Sequence, residues 1–339
     1  MTRRERVKAA MRFQAVDKVP LQYLYTPVGF YEHGDKLNRL YESLPGDFGP
    51  FSNTPVPVLP ASDFDADGQY HTLTRDEWGT VWERRIFGIA GLPAEYPLKD
   101  PEDIFKYIFP PHPFFDEKEA RERVRGHQTE YYCLMNGGSL FERMRALRPE
   151  EDVLCGMALS EPQINVLADR IIEYHMEDVR RAIASGADGI SFGDDYGTER
   201  GMLMNPGLWR SFFKPRLREL FRPAVDAGLD IVFHSCGMVM PILPDLREIG
   251  VTAIWPQLPA YNMLELAKVC RDLSLAVAIH TDRANVMTFG TPGQVRALVE
   301  EEFETFRMMD GGSWFYVETD NGFPFQNIEA LVNTIAQWR

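Results

Sequence analysis

The sequence predicts an α/β fold of the (β/α)8 TIM-barrel type, a single domain over 1–339 with an irregular N-terminal extension. Three observations carry this. The second half of the chain reads as five successive strand–helix units, the pattern of an α/β fold. Its strands are short, unbroken apolar runs, as parallel strands covered on both faces must be. Polar residues gather at nearly every strand end, which suits a barrel better than an open sheet with one switch point. No Gly-x-Gly-x-x-Gly follows a strand, so the dinucleotide-binding form of the open sheet lacks its signature.

The elements follow in order. Val19-Pro-Leu-Gln-Tyr-Leu24 reads as the first barrel strand, residues 45–75 as irregular loop rich in Pro, Gly and Asp, and Trp78 to Phe87 as a short hairpin. Tyr131 to Asn136 is a strand, ending at Gly137-Gly138 before a helix that includes Phe141 and Leu147. Ile164, Leu167, Ile171, Val179 and Ile183 stand at helical spacing, which predicts a helix over 161–185 closed by Gly186. Strand 188–192 then ends in Gly193-Asp194-Asp195. A helix over 206–227 has Pro206 in its first turn and Gly228 past its end. Strand 230–233 leads to His234-Ser-Cys236-Gly237, and the helix at 240–248 stops at Gly250. Strand 252–255 ends at Pro256-Gln257, and helix 262–272 follows. Strand 275–279 ends at His280-Thr-Asp282, and helix 292–308 precedes Gly311-Gly312. Strand 314–317 ends at Glu318-Thr-Asp320, and helix 325–338 comes last.

Composition narrows the function. The formal net charge of −14 argues against a nucleic-acid partner, whose phosphates demand a basic face. Cys133, Cys155, Cys236 and Cys270 are widely spaced with no Cys-x-x-Cys, which points to a reduced cytoplasm rather than a disulfide scaffold. The charged start, Met1-Thr-Arg-Arg-Glu-Arg, lacks an apolar signal core, and no apolar run is long enough for a bilayer. A cytoplasmic protein is expected; the oligomeric state is open, a homodimer included.

In a barrel the C-terminal strand ends face the active site. That rule gathers Asn136, Asp194, Asp195, His234, Cys236, Gln257, His280, Asp282, Glu318 and Asp320 in one mouth. His234 and Cys236 stand at i and i+2 on an extended segment, so imidazole and thiolate can converge on one ion, and zinc accepts both. The competing reading is a backbone-bonded histidine beside a buried free thiol. A third ligand would come from a nearby strand end, Glu318 first, then Asp320 or Asp194. Three protein ligands leave an open position, the pattern of catalytic zinc. Asp194 and Asp195 offer a general base, a ligand or a partner for His234, against helix capping; adjacent residues of a strand cannot both point inward. Asn136, Gln257, His280 and Asp282 are candidate substrate contacts. His175 lies on an apolar helix stripe and reads as core, Cys133 and Cys270 as packing, and Glu142 to Arg148 as a solvated helix face.

A series of short motifs then suggests a family. They are Asp17-Lys-Val-Pro, Asp76-Glu-Trp-Gly-Thr-Val-Trp, Pro97-Leu-Lys-Asp-Pro-Glu-Asp and Phe192-Gly-Asp-Asp-Tyr-Gly-Thr, followed by Pro206-Gly-Leu-Trp-Arg-Ser-Phe-Phe-Lys-Pro, His234-Ser-Cys-Gly, Gly290-Thr-Pro-Gly-Gln-Val and Gln326-Asn-Ile-Glu-Ala. In this order the chain resembles the uroporphyrinogen decarboxylase superfamily, and within it the corrinoid-dependent (cobalamin) methyltransferase branch. The resemblance implies a (β/α)8 barrel and a zinc site at His-x-Cys plus a later Cys before the last helix. His234 and Cys236 match; at the later position the chain reads Glu318-Thr-Asp320 instead. A carboxylate there would leave zinc more Lewis acidic than a thiolate does. The decarboxylase branch has an arginine-rich segment near its start, where this chain reads Leu21-Gln-Tyr-Leu-Tyr-Thr-Pro without arginine.

The expectation is therefore a zinc-dependent methyltransferase that moves a methyl group between a small molecule (a methoxylated aromatic, a methylamine or a thiol) and a corrinoid protein. Zinc is expected on His234, Cys236 and Glu318, with Asp194 or Asp195 orienting His234 or handling a proton. The cobalamin must come from a partner protein, since no Asp-x-His-x-x-Gly motif occurs in the chain. The alternatives are a metal-free decarboxylase or lyase, and a non-catalytic tetrapyrrole-binding protein.

Overall fold

The structure is a computed structural model and describes residues 1–51 and 54–339. Residues 52 and 53, in the middle of the expected irregular stretch, lie outside the described residues. Seven parallel strands form one curled sheet: β1 (Leu21–Tyr23), β2 (Leu134–Gly138), β3 (Gly189–Gly193), β4 (Asp230–Ser235), β5 (Ala253–Pro256), β6 (Ala276–Ile279) and β7 (Ser313–Val317). Their order in space is β1-β7-β6-β5-β4-β3-β2. The helical crossovers include α1 (Arg3–Met11, ahead of β1), α2 (Phe141–Leu147), α3 (Pro162–Ser185), α4 (Pro206–Asp226), α5 (Leu243–Glu248), α6 (Met263–Asp272), α7 (Pro292–Phe306) and α8 (Phe325–Ile335). The alternation expected of the second half is present unit by unit, and Gly186 ends α3 in the left-handed conformation at φ 75°. No helix among the described residues is long and apolar enough to cross a membrane.

The sheet has one strand fewer than the eight of a (β/α)8 barrel. Its edges, β1 and β2, are linked through a single residue. The amide of Asp47 donates to the Leu21 carbonyl (2.7 Å), and the Asp47 carbonyl accepts from Tyr132 N–H (3.0 Å). That link explains why β2 begins at Leu134 and not at 131: Tyr132 is already bonded to Asp47. At its other end β2 runs through Gly137 and Gly138, where its register against β3 shifts. Gly138 sits at φ +87°, and a Cβ there would lie 2.2 Å from the His175 ring. The expected hairpin is larger than predicted, an antiparallel sheet of Thr72–Arg75, Val81–Arg84 and Leu92–Glu95.

Side chains alternate along each strand. The inward set includes Gln22, Leu134, Ser191, Val232, His234, Trp255, Ala278, Trp314 and Tyr316. The lower interior is filled by Val7 and Met11 of α1 packing with Tyr132, Val232, Trp314, Ala253 and Ala276. Alanines on β5 and β6 leave room above this plug. The rest of the apolar core lies between the sheet and its outer helices, where Phe213, Phe221, Ile231, Leu246 and Val277 are buried.

Asp47 holds more than the backbone link. Its carboxylate is fully buried, accepts the Leu21 amide (2.7 Å) and pairs with Arg6 (2.5 Å) and with Arg339. Neutralising it removes the charge that Arg6 and Arg339 share, although Arg6 keeps Asp17 (2.8 Å). Asp47→Asn is expected to cost about 3–5 kcal/mol, the range for breaking a buried ion pair. Urea denaturation measures it, and a loss below about 1 kcal/mol, the range of exposed pairs, would show that the Asp47 carboxylate does not anchor Arg6 and Arg339.

Candidate metal centre

β4 carries His234 to the upper rim, and Cys236 follows two residues later on the same side. β3 is the neighbour of β4, and Asp195 follows it in the inward phase of Ser191 and Gly193. Asp195, His234 and Cys236 therefore meet, with one ligand atom from each lying within 4.8 Å of the others. Cys236 Sγ is 3.4 Å from His234 Nε2, and that nitrogen is 3.4 Å from Asp195 Oδ1. Asp195 Oδ1 also accepts the Cys236 amide at 2.9 Å, which ties the two loops together.

The tautomer of His234 follows from its other nitrogen. Nδ1 lies 2.9 Å from the Trp255 carbonyl, which can only accept, so Nδ1 carries the proton. Nε2 is left with a lone pair facing the thiol and the carboxylate. Burial lowers the affinity of His234 for a second proton. Burial, then the neighbouring Asp195 charge, pushes the Cys236 thiol up to about 12. Burial is the leading cause of both effects. A divalent cation at this point reverses the second, because a coordinating thiol is deprotonated. Imidazole nitrogen, thiolate and carboxylate are all zinc donors, so the residues present fit that ion.

Glu318, the third ligand expected from the sequence, is not part of this triplet. It ends β7, which lies three places from β4 in the sheet, whereas Asp195 comes from the adjacent strand. Glu318 instead lines a cavity of about 100 Å³ with His234, Cys236, Gln257, His280 and Arg283. Burial, followed by the charge of Asp320, pushes its carboxyl up to about 7. Asp320 is paired with Arg283 at 3.2 Å. His280 is held neutral, its pKa pushed down to about 3 by burial. Gln257 accepts the Gly237 amide (2.8 Å) and so fixes the turn after Cys236.

A second cavity, of about 240 Å³, adjoins the first at His234 and Trp255; its lining is mostly aromatic and apolar, with Gln22, Asn136 and Ser191 as further polar side chains. Asp194 and Asp282 lie outside both cavities. Asp194 follows Phe192 in the outward phase and is 1% exposed. It accepts the amides of Leu140 (3.1 Å) and Glu142 (2.9 Å) at the start of α2, and the Tyr196 hydroxyl (2.9 Å). That is helix capping, the alternative foreseen for one member of the pair. Asp282 likewise accepts the amides of Ala284 and Asn285 within its own turn.

Sequence reasoning missed three residues here. Glu142 accepts the Asp195 amide at 3.3 Å, and Arg145 bridges Glu142 (2.8 Å) and approaches Asp195 Oδ2 (3.9 Å). The face read as solvated thus points partly into the site. Arg283 carried no spacing signal, because it sits in a turn.

Residues 150–314 match the family model described as uroporphyrinogen decarboxylase (URO-D). No curated protein sequence matches the chain. Among solved structures, a methyltransferase from Methanosarcina mazei aligns over 99% of both chains with a TM-score of 0.65 at 17% identity, a likeness of fold. A 3-keto-D-glucoside 4-epimerase from E. coli (73% of this chain, 96% of that one, 14% identity) has a TM-score of only 0.39. A dihydropteroate synthase from Anaplasma phagocytophilum (52% and 69%, 14% identity) has 0.36.

The two aspartates are expected to separate on mutation. Asp194→Ala removes the acceptor of two amides and a hydroxyl and is expected to cost about 2 kcal/mol or more of stability. Asp195→Ala, on the partly exposed rim, is expected to cost less than about 1 kcal/mol and to weaken metal binding. Denaturation and zinc titration of both variants decide it; equal stability losses would void the distinction.

A pH effect follows from Glu302 of α7, which is 1% exposed and accepts the Thr281 hydroxyl (2.7 Å) beneath His280. Burial pushes its carboxyl up from the ordinary carboxylate range to about 8. A carboxyl raised on folding adds stability that is complete below its unfolded value and is lost as pH rises through about 8. Glu302→Gln should therefore gain on the wild type between pH 5 and 8, by at most about 1.4 kcal/mol per unit. Parallel stability profiles would contradict this.

Proposed function

We propose that the chain belongs to the uroporphyrinogen decarboxylase superfamily, whose family model matches residues 150–314, and that it is a cytoplasmic, zinc-dependent methyltransferase of the corrinoid-dependent branch. It moves a methyl group between a small molecule (a methoxylated aromatic, a methylamine or a thiol) and the cobalt of a separate corrinoid protein. In the same reading the curled sheet is a (β/α)8 barrel with the Asp47 link at the eighth position. The observation that carries the proposal is the meeting of Asp195, His234 and Cys236 beside a mouth cavity. The larger cavity is lined by no Lys or Arg, so it offers no counter-charge to a polycarboxylate, which disfavours the decarboxylase alternative.

Asp195, His234 and Cys236 would hold the zinc, and Glu318 faces the same space from β7. When bound, zinc supplies Lewis acidity at the substrate heteroatom. The protein's own groups do the rest. The Trp255 carbonyl keeps Nε2 of His234 free of a proton, and the Asp195–Cys236 amide bond sets the spacing of two donors. The aromatic cavity excludes water and holds the substrate for in-line attack. In the demethylating direction the heteroatom–methyl bond breaks, the heteroatom keeps that electron pair, and cobalt(I) supplies the pair that forms the cobalt–methyl bond. The partner must approach over the open upper rim. A net charge of −14 favours a basic rim on that partner and an association slowed by salt.

Protein purified without chelator is expected to contain about one zinc per chain, and Cys236→Ser to lose most of it while keeping its fold. The functional test mixes the protein with reduced corrinoid protein and methoxylated aromatics, methylamines or methyl thiols, and follows the cobalt spectrum. Formation of methylcobalt(III), or its demethylation by an acceptor, supports the reading. Full zinc retention in Cys236→Ser, or no cobalt change in either direction, overturns it.

A further inference from the structure

A groove outside the ring of strands has a chemistry the mouth lacks. It lies between α6, with the loop that leads into it, and α7, with the segment after β6. Its volume is about 400 Å³, within the roughly 300–1,000 Å³ of small-molecule sites. Leu258 and Pro259 form a partition, lining this groove on one side and the smaller mouth cavity on the other. None of Asp195, His234 and Cys236 lines the groove.

Its walls combine apolar surface with negative charge. Tyr261, Leu264, Val286 and Leu298 supply the apolar part. The Tyr261 hydroxyl donates to the Gly237 carbonyl and accepts the Val239 amide, both at 2.9 Å, so only the ring is left to the groove. The charged lining residues are Asp282, Glu301 and Glu302; no Lys, Arg or His joins them. Glu302 is the deepest, 1% exposed. Thr281 donates to its Oε2 at 2.7 Å, and among the described residues no donor meets Oε1. Burial, with like charge from Asp282 and Glu301, pushes this carboxyl up to about 8. The empty groove thus keeps a buried acid at a cost in stability, with no cation in its lining to offset it.

The three carboxylates are spread along the groove rather than focused on a point. Among the described residues the group of donors close enough to share a metal ion is Asp195, His234 and Cys236, at the mouth. A bare divalent ion therefore finds too few ligands here. An ammonium needs only one carboxylate and can lay its carbon body on an apolar wall.

We propose that this groove binds a small organic cation, a primary ammonium on an aryl or alkyl body, at a site separate from the catalytic mouth. The ammonium donates to Glu302 Oε1, Asp282 and Glu301 add favourable negative potential, and the body lies on Tyr261 and Leu298. The pairing gives Glu302 the counter-charge it lacks and releases its proton to solvent. The site stands whether or not the mouth transfers a methyl group.

The test is calorimetry on the whole chain at about pH 8.5, where Glu302 is largely ionised. The probes are benzylammonium, its neutral analogue benzyl alcohol, and methylammonium, which lacks the body. Benzylammonium is expected to bind about tenfold or more tightly than either, since the alcohol forgoes the ion pair and methylammonium the apolar contact. Glu302→Gln, nearly isosteric, is expected to shrink the lead over benzyl alcohol to less than about threefold. Leu298→Trp fills the groove and should abolish binding, whereas Glu318→Ala, in the mouth, should leave it unchanged. Near-ultraviolet dichroism confirms the fold of each variant. Absence of benzylammonium binding by the wild type, or affinity for it no greater than for either analogue, overturns the inference. So does a lead that survives Glu302→Gln, binding retained in Leu298→Trp, or binding lost in Glu318→Ala, which would put the ligand elsewhere.

Discussion

Three carboxylates at the lower rim, Asp47, Asp188 and Asp230, are buried, and each is answered by a basic side chain of α1. Arg4 grips Asp188 through two nitrogens (3.0 and 2.7 Å), and Lys8 reaches the same carboxylate at 2.6 Å. Arg6 takes Asp47, and Arg12 approaches Asp230 at 3.5 Å. A buried carboxylate without such partners would cost several kcal/mol, so the sheet cannot curl as it does unless α1 docks beneath it. The pairs differ in quality. Burial raises the Asp188 pKa, but Arg4 and Lys8 outweigh it and the net shift is downward. Asp230 has a longer cationic contact and a Tyr132 hydroxyl (2.8 Å), and there burial wins. Once docked, α1 pushes Val7 and Met11 up against the inner face of the curled sheet, so the charged clamp and the apolar plug are one element.

The upper rim inverts that arrangement. At the mouth His280 is buried and held neutral, and burial pushes the Glu318 carboxyl up, so polar groups are kept there at a cost. A plugged bottom makes this tolerable: the stability lost at the mouth is offset by burial lower in the same strands. The result is a rigid strand carrying both a packed half and a reactive half, as β4 does with Val232 below and His234 above.

How much of this was legible depends on range. The βα alternation and the mouth residues follow from local periodicity, so His234 and Cys236 stood out at once. Period two also separates the aspartates: Ser191, Gly193 and Asp195 share one phase, Phe192 and Asp194 nominally the other, although Phe192 still touches the larger cavity. Preferring Asp195 to Glu318 as the third donor needs the spatial order of strands, which adjacency in sequence does not supply. The same is true of α1. Arg4, Lys8 and Arg12 recur every four residues along α1 and its C-cap and share one face, yet their partners lie 180 or more residues away. Asp47 carried no pattern at all, because a one-residue link between edge strands has no period.

The donor set also bears on the direction in which the proposed chemistry is favoured. A carboxylate gives a zinc ion less charge than a second thiolate would, and leaves it the stronger Lewis acid. That argument, made for Glu318 on sequence, passes unchanged to Asp195, which occupies the triplet instead. Such an ion is better suited to polarising an ether or phenol oxygen as a methyl group leaves than to holding a highly nucleophilic thiolate. Arg145 sharpens the point, since a guanidinium 3.9 Å from Asp195 Oδ2 draws charge away from the carboxylate. In the proposed chemistry such a donor set would favour a leaving group whose negative charge is already spread over several atoms.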